Sequence, residues 1–242
     1  MNYMKRIRSE YFPDTSDRIL FLCGAVMLST EIWKQLVLTL SAGGHYNLWY
    51  LPFQLCSIPM YVLLAYPWLR REKIRLVLLA FLMCYGLLGG IAAFADTSGM
   101  KYAYPALTVH SHLWHVLLIL IGIFAGILYC RKPAGGPGAS GKLLFSRRLV
   151  NAFPLRPFLG ASALYLICCG IAELLNLALD QYGKINMFYI NPDYQMQQVI
   201  FRDLIPLLGN TAVILLYIAA TILGAFILFL FWRVVRRLFF RR

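Results

Sequence analysis

Charge is what this chain lacks most. Only 14% of its 242 residues are Asp, Glu, Lys or Arg, and just ten are acidic; a soluble domain of this size carries about 25%. That shortage excludes a disordered chain, whose composition is polar, and an ordinary water-soluble enzyme. Six cysteines are too sparse for a disulfide scaffold, and no C-x-x-C or H-E-x-x-H pattern accompanies them. The Gly135–Gly141 stretch lacks the G-x-x-x-x-G-K-[ST] pattern and a preceding strand, which removes a nucleotide-cradling loop. A net charge of +13 fits nucleic-acid binding on its own. Here the basic residues sit at the ends of apolar runs, so nucleic acid is not an expected partner.

What the chain has is apolar length. Sixty per cent of it belongs to the AVILMFWYC set, and the mean hydropathy is +0.67. A helix crosses about 30 Å of hydrocarbon with about 20 mostly apolar residues. Six stretches qualify: Ile19–Leu40, Leu48–Trp68, Leu76–Ala95, Leu113–Cys130, Phe158–Leu179 and Leu204–Trp232. They are too long and too uniformly apolar for barrel strands. The expected fold is therefore all-α, a polytopic membrane bundle of six helices spanning residues 19–232, in a cell membrane.

Loop charge sets the orientation. Nineteen of the 23 Lys and Arg residues fall before span 1, between spans 2 and 3, between spans 4 and 5, or after span 6. The alternate loops hold only Lys101, Lys184 and Arg202, and Lys34 lies inside span 1. The positive-inside rule then puts both termini in the cytoplasm. Residues 1–18 read as a basic cytoplasmic segment, and 233–242 as a basic tail that meets anionic lipid. Span 1 has the flavour of a signal peptide, but Glu31 and Lys34 interrupt it and no A-x-A-like site follows. The Gly- and Pro-rich segment within 131–157 has the composition of a flexible cytoplasmic loop.

With that topology, the polar residues of the spans gather on one side. Glu31, Lys34, Gln54, Cys56, Glu173 and Asn176 fall in outer halves, and all four histidines lie in the outer regions. An ionisable group in hydrocarbon costs at least about 2.5–3.5 kcal/mol, so such groups face protein and find partners. One outward-facing polar chamber is the simplest arrangement. Glu31 and Lys34 share a helix face, as do Glu173 and Asn176, and His112 and His115. The Glu31–Lys34 pair reads equally as a structural ion pair or as part of a site.

The run His110-Ser111-His112-Leu113-Trp114-His115 supports a metal site, acid–base work, or an interfacial cluster bonded to water and headgroups. Without a ligand motif, no metal or other cofactor is expected. Cys56 is the one cysteine in an outer half with polar neighbours; it suits packing as well as attack. Ser57 and Ser111 are alternative nucleophiles. The long segment between spans 5 and 6, with Asn186, Phe188 and Tyr189, fits either a lid or a belt at the headgroups.

Several of these features together resemble the YwaF-like bacterial integral membrane proteins. They are Glu31…Lys34, Leu51-Pro52-Phe53-Gln54-Leu55-Cys56-Ser57, His112-x-x-His115, and Asn176 followed by Asn186-Met187-Phe188-Tyr189-Ile190-x-Pro192. The resemblance spans residues 17 to 232 and implies a bacterial cytoplasmic-membrane protein. A distant eukaryotic branch transfers acyl groups between phospholipids with a cysteine and a histidine. Its cysteine directly follows the proline of the second motif, a position held here by Phe53; Cys56 lies three residues on. The resemblance implies a lipid acyltransferase or transacylase, with His112 or His115 as base, Cys56 as nucleophile, and membrane lipids as substrate. Glu31, Lys34, Gln54, Glu173, Asn176 and Asn186 would line the substrate site. The alternative is a membrane protein that captures or transports a small solute.

Overall fold

The computed structural model describes residues 15–131 and 154–240. Most of the loop expected at 131–157, and residues 1–14 of the N-terminal segment, lie outside that range. The described residues are helical, with no strand among them. The principal helices are α1 (Thr15–Ser41), α2 (Ile58–Ala65), α3 (Glu72–Ala92), α4 (Pro105–Arg131), α5 (Arg156–Leu179) and α6 (Asn210–Phe239). Five of them, all but α2, are long and apolar enough to cross a membrane, which makes this a multi-pass membrane protein.

Two expected spans differ from their observed helices, each for a local reason. Residues 48–68 are not one helix: a 3-10 turn at Leu48–Tyr50 and an irregular stretch precede α2, which ends in a second 3-10 turn at Tyr66–Trp68. Pro52 disfavours helix at the residue before it, and Leu51 is indeed extended, at φ −51 and ψ 129. The last span does not begin at Leu204. Gly209, at φ 78, turns the chain through the left-handed region, and α6 starts at Asn210. That helix runs on to Phe239, so the basic tail from Arg233 is helical over most of its length.

α3 is the hub. It packs against α4, α5 and α6. Sixty-one per cent of its apolar window is buried, against 22% for α1 and 28% for α6, so the latter two form the lipid-facing flanks. Its aromatic residues supply the centre: Phe81 and Tyr85 stack 5.4 Å apart, and Tyr85 stacks on Tyr165 of α5 at 5.0 Å. Midway, residues Leu82–Gly86 form a π turn. Such a turn disturbs the regular backbone pairing. The Trp232 indole of α6 donates to the Met83 carbonyl there, at 3.2 Å. For that indole to fit, α4 presents Gly126, where a side-chain methyl would overlap the ring.

The two ends of the bundle differ in chemistry. At the basic end, where α1 and α5 begin, Asp17 is buried and pairs with Arg75 of α3 at 2.6 Å. The same guanidinium lies 4.4 Å from the centre of the Tyr66 ring. α1, the α2 extension and α3 are thereby clamped together. The opposite end carries the histidines.

Candidate functional site

The polar residues of the histidine end form two groups with different work. The first fixes the segment between α5 and α6. Gln54, freed from helix by the break at Pro52, donates from Nε2 to the Asn186 carbonyl at 2.9 Å and accepts from the Phe188 N–H at 2.7 Å. Asn176 of α5 accepts from the Met187 N–H at 2.7 Å; its amide donates to the Met187 carbonyl and to Glu173 Oε2. Asn186 accepts from the Asn191 N–H, and Asn191 donates to the Ile185 carbonyl. Together they draw 185–191 into the bundle, where Met187 and Phe188 are buried. The Phe188 ring lies 5.9 Å from Phe53 and 6.1 Å from Tyr165, three turns below Asn176 on α5. The segment is thus a plug set into the helices rather than a belt along the surface. Phe188 and Tyr189 hold positive φ of 57° and 59° to make the turn. Burial pushes the Tyr189 phenol up to about 12, so it stays protonated.

The second group surrounds Glu31. This carboxylate is 3% exposed. Its Oε1 receives Lys34 Nζ at 2.7 Å and Gln35 Nε2 at 2.6 Å, and the same Gln35 nitrogen also donates to the Tyr50 carbonyl at 2.6 Å. Lys34 and Glu31 in turn lie within electrostatic reach of Cys56 and His110. Gln35 is a member that reading for ionisable and nucleophilic groups passed over. Its signal was present: it stands four residues after Glu31, on the same face.

The three histidines do not converge. Two residues apart on a helix point to opposite sides, and α4 obeys this. His110 turns to α1, 5.7 Å from Trp33, while His112 and His115 flank Phe94, in the turn after α3, at 6.2 and 6.5 Å. His112 Nδ1 donates to the Thr108 carbonyl at 2.8 Å, and His115 Nδ1 to the Ser111 carbonyl at 2.7 Å. A carbonyl only accepts, so the neutral rings carry their proton on Nδ1 and leave Nε2 as a base. No hydrogen bond joins Cys56 to either ring among the described residues; its carbonyl accepts from the Trp114 indole at 3.1 Å. No set of three or more His, Cys, Asp or Glu able to hold a metal occurs among those residues.

Glu31 and Glu173 thus fall in different hydrogen-bond groups. Glu173 belongs with the plug, and Glu31 and His115 stand on other helices. A groove of about 300 Å³ lies between α1 and the α2 region. Leu28, Ile32, Leu36, Pro52, Met60 and Tyr61 line most of it, with Glu31, Gln35, Thr39 and Tyr46 as its polar members. Ile32 and Leu36 are more than half exposed, so the groove opens sideways on the flank of the bundle. Tyr46, at the mouth, is pushed above its ordinary pKa by burial and by the Glu31 charge, and keeps its hydroxyl proton. No family model, curated protein or solved structure matches this chain.

Proposed function

We propose that the chain is a six-span protein of the YwaF-like type that captures an amphiphile sideways from one leaflet, in the groove between α1 and α2. The observation that carries this reading is the groove itself. It is mainly apolar, open on the flank, and has a carboxylate and an amide in its wall. That is the chemistry of a hydrocarbon chain with a polar head, and a small polar solute would gain little from such walls. The sixth crossing is residues 48–68, in which the non-helical part is tolerated because protein groups satisfy its backbone. The excess of basic residues at the end where α1 begins supports cytoplasmic termini in a bacterial cell membrane. Arg233, Arg236 and Arg237 on the last turns of α6 support a contact with anionic lipid there.

Acyl transfer would add a nucleophile and a base to this capture. Cys56 with His115 is the pair that the site offers. Since they share no hydrogen bond, the arrangement supports capture more than turnover, and capture is the reading adopted. It is tested with a fatty-chain probe carrying a photoreactive group, incorporated in liposomes with the protein. Adducts should concentrate on peptides bearing Ile32, Leu36 and Tyr61, and Ile32→Trp, which fills the groove from its open side, should suppress them. Adducts spread evenly around the bundle would overturn the reading.

A further inference from the structure

The segment between α5 and α6 is built as a lid. Its neck closes at the surface, where the Tyr194 hydroxyl donates to Asp180 Oδ1 at 3.4 Å. Ends that meet across a compact excursion of the chain are the mark of an Ω loop. Residues 181–184, Pro192 and Asp193 are exposed, so the arms of the loop lie outside the bundle and only its tip, 185–191, enters it. The tip is braced within itself: Asn191 donates to the Ile185 carbonyl, and Asn186 accepts from the Asn191 N–H. Among the described residues, its hydrogen bonds to the rest of the bundle run through Gln54 and Asn176 alone. The fit is not relaxed. Phe188 and Tyr189 hold positive φ without being glycine, and the Asn186 amide nitrogen is buried with no partner. Strained backbone persists only where the surroundings hold it, and it concentrates in clamps and switching segments.

What the tip covers is one face of α5. Tyr165, Cys169, Ala172 and Asn176 recur on that face at helical spacing, and each is at most 6% exposed. The tip bonds to Asn176 at one end of the face and lays Phe188 against Tyr165, 6.1 Å between ring centres, at the other. Cys169 and Ala172 lie between those two contacts. We propose that 185–191 is a lid that leaves its seat as a unit, pivoting on the exposed arms beside the Asp180–Tyr194 neck, and opens a slot along this face of α5. The structure holds it closed. Opening frees the Gln54 and Asn176 carboxamides and uncovers the Phe53 and Tyr165 rings that now hold Phe188. The lid rests on the loop and not on the groove between α1 and α2, so neither reading depends on the other.

The test uses the full chain in nanodiscs. Cys169 is the reporter, and Cys84, buried in the π turn of α3, is the control. N-ethylmaleimide is added and the alkylation of each cysteine is followed by peptide mapping, on a Cys168→Ser chain so that one thiol is scored on α5. Cys169 should be alkylated roughly tenfold or more faster than Cys84. Gln54→Met should quicken Cys169 by roughly tenfold or more again, the scale of one lost hydrogen bond, and leave Cys84 unchanged. Hydrogen exchange on the unsubstituted chain supplies a measurement that depends on no variant folding. There the Met187 and Phe188 amides should exchange at one common rate, roughly tenfold or more faster than the amides of 165–172. If Cys169 is alkylated no faster than Cys84, if Gln54→Met quickens both alike, or if 185–191 exchanges only as fast as α5, the tip is a fixed part of the core and the lid is overturned.

Discussion

Replacing Gln54 by Met should release the plug. Methionine matches glutamine in length and lacks the amide, so the change deletes two hydrogen bonds with little change in volume. The bonds lost are those to the Asn186 carbonyl and from the Phe188 N–H, at 2.9 and 2.7 Å. Both residues are about 1% exposed, so water does not replace the lost partner while the plug stays seated. A buried group left without its partner costs about 1–3 kcal/mol, giving about 2–6 kcal/mol for the pair. The segment has little margin against this, because Phe188 and Tyr189 are already held at positive φ, a cost of roughly 1–2 kcal/mol per residue. The lower bound of about 2 kcal/mol corresponds to a roughly 30-fold rise in the open population. Hydrogen exchange on a peptide covering 185–191, in nanodiscs, reads that population directly. It should quicken by that factor or more, while peptides from α4 keep their protection. Asn176→Leu should do the same through Met187. Unchanged exchange at 185–191 would refute the assignment of Gln54 as an anchor. Equal quickening throughout the bundle would refute the claim that the plug is a separate unit.

Three further outcomes are expected. Asp17→Asn leaves Arg75 without its buried partner and should cost about 3 kcal/mol, seen as a lower midpoint of thermal unfolding in detergent; Glu72, 3.9 Å away, would offset part of it. Gly126→Ala places a methyl in the Trp232 ring and should cost about 1–3 kcal/mol by the same measurement, whereas Gly170→Ala, with open space around it, should leave the midpoint unchanged. Lys184→Cys should react with a membrane-impermeant maleimide on intact cells and Arg233→Cys should not; the reverse pattern would invert the proposed topology.

Much of the fold was legible because apolar length and basic flanks are direct consequences of the bilayer. The long helices were found from those two signals. The segment 48–68 satisfies a hydropathy window without being one helix, because a window does not weigh what Pro52 does to Leu51. At the site, sequence found the polar residues but not their grouping. Gln54 lies 132 residues from its acceptor Asn186, and that pairing is a tertiary fact. The HSHLWH run groups three histidines in sequence, but the 100° turn per residue keeps only His112 and His115 on one face and sends His110 to the opposite side. In sequence the long connection between α5 and α6 fits lid and belt alike, since aromatic and amide residues serve either; the bonds from Gln54 and Asn176 decide for burial.

The break at Pro52 also explains why polar side chains gather at this end at all. A helix interrupted in a membrane exposes backbone carbonyls that lipid cannot satisfy. Three side chains meet them: Gln35 at the Tyr50 carbonyl, Tyr61 at the Pro52 carbonyl and Trp114 at the Cys56 carbonyl. Gln54 and Asn176 are committed to the plug in the same way. Not every polar atom at this end is committed: the Gln35 carbonyl, both ring nitrogens of His110 and the Asn186 amide nitrogen are buried without a partner. The same interruption that created the structural demand also opened the groove, by withholding the helical turns that would have packed against Ile32 and Leu36. Structure and proposed function thus share one cause, and a variant that restored helix across 51–57 should lose the groove and the plug anchor together.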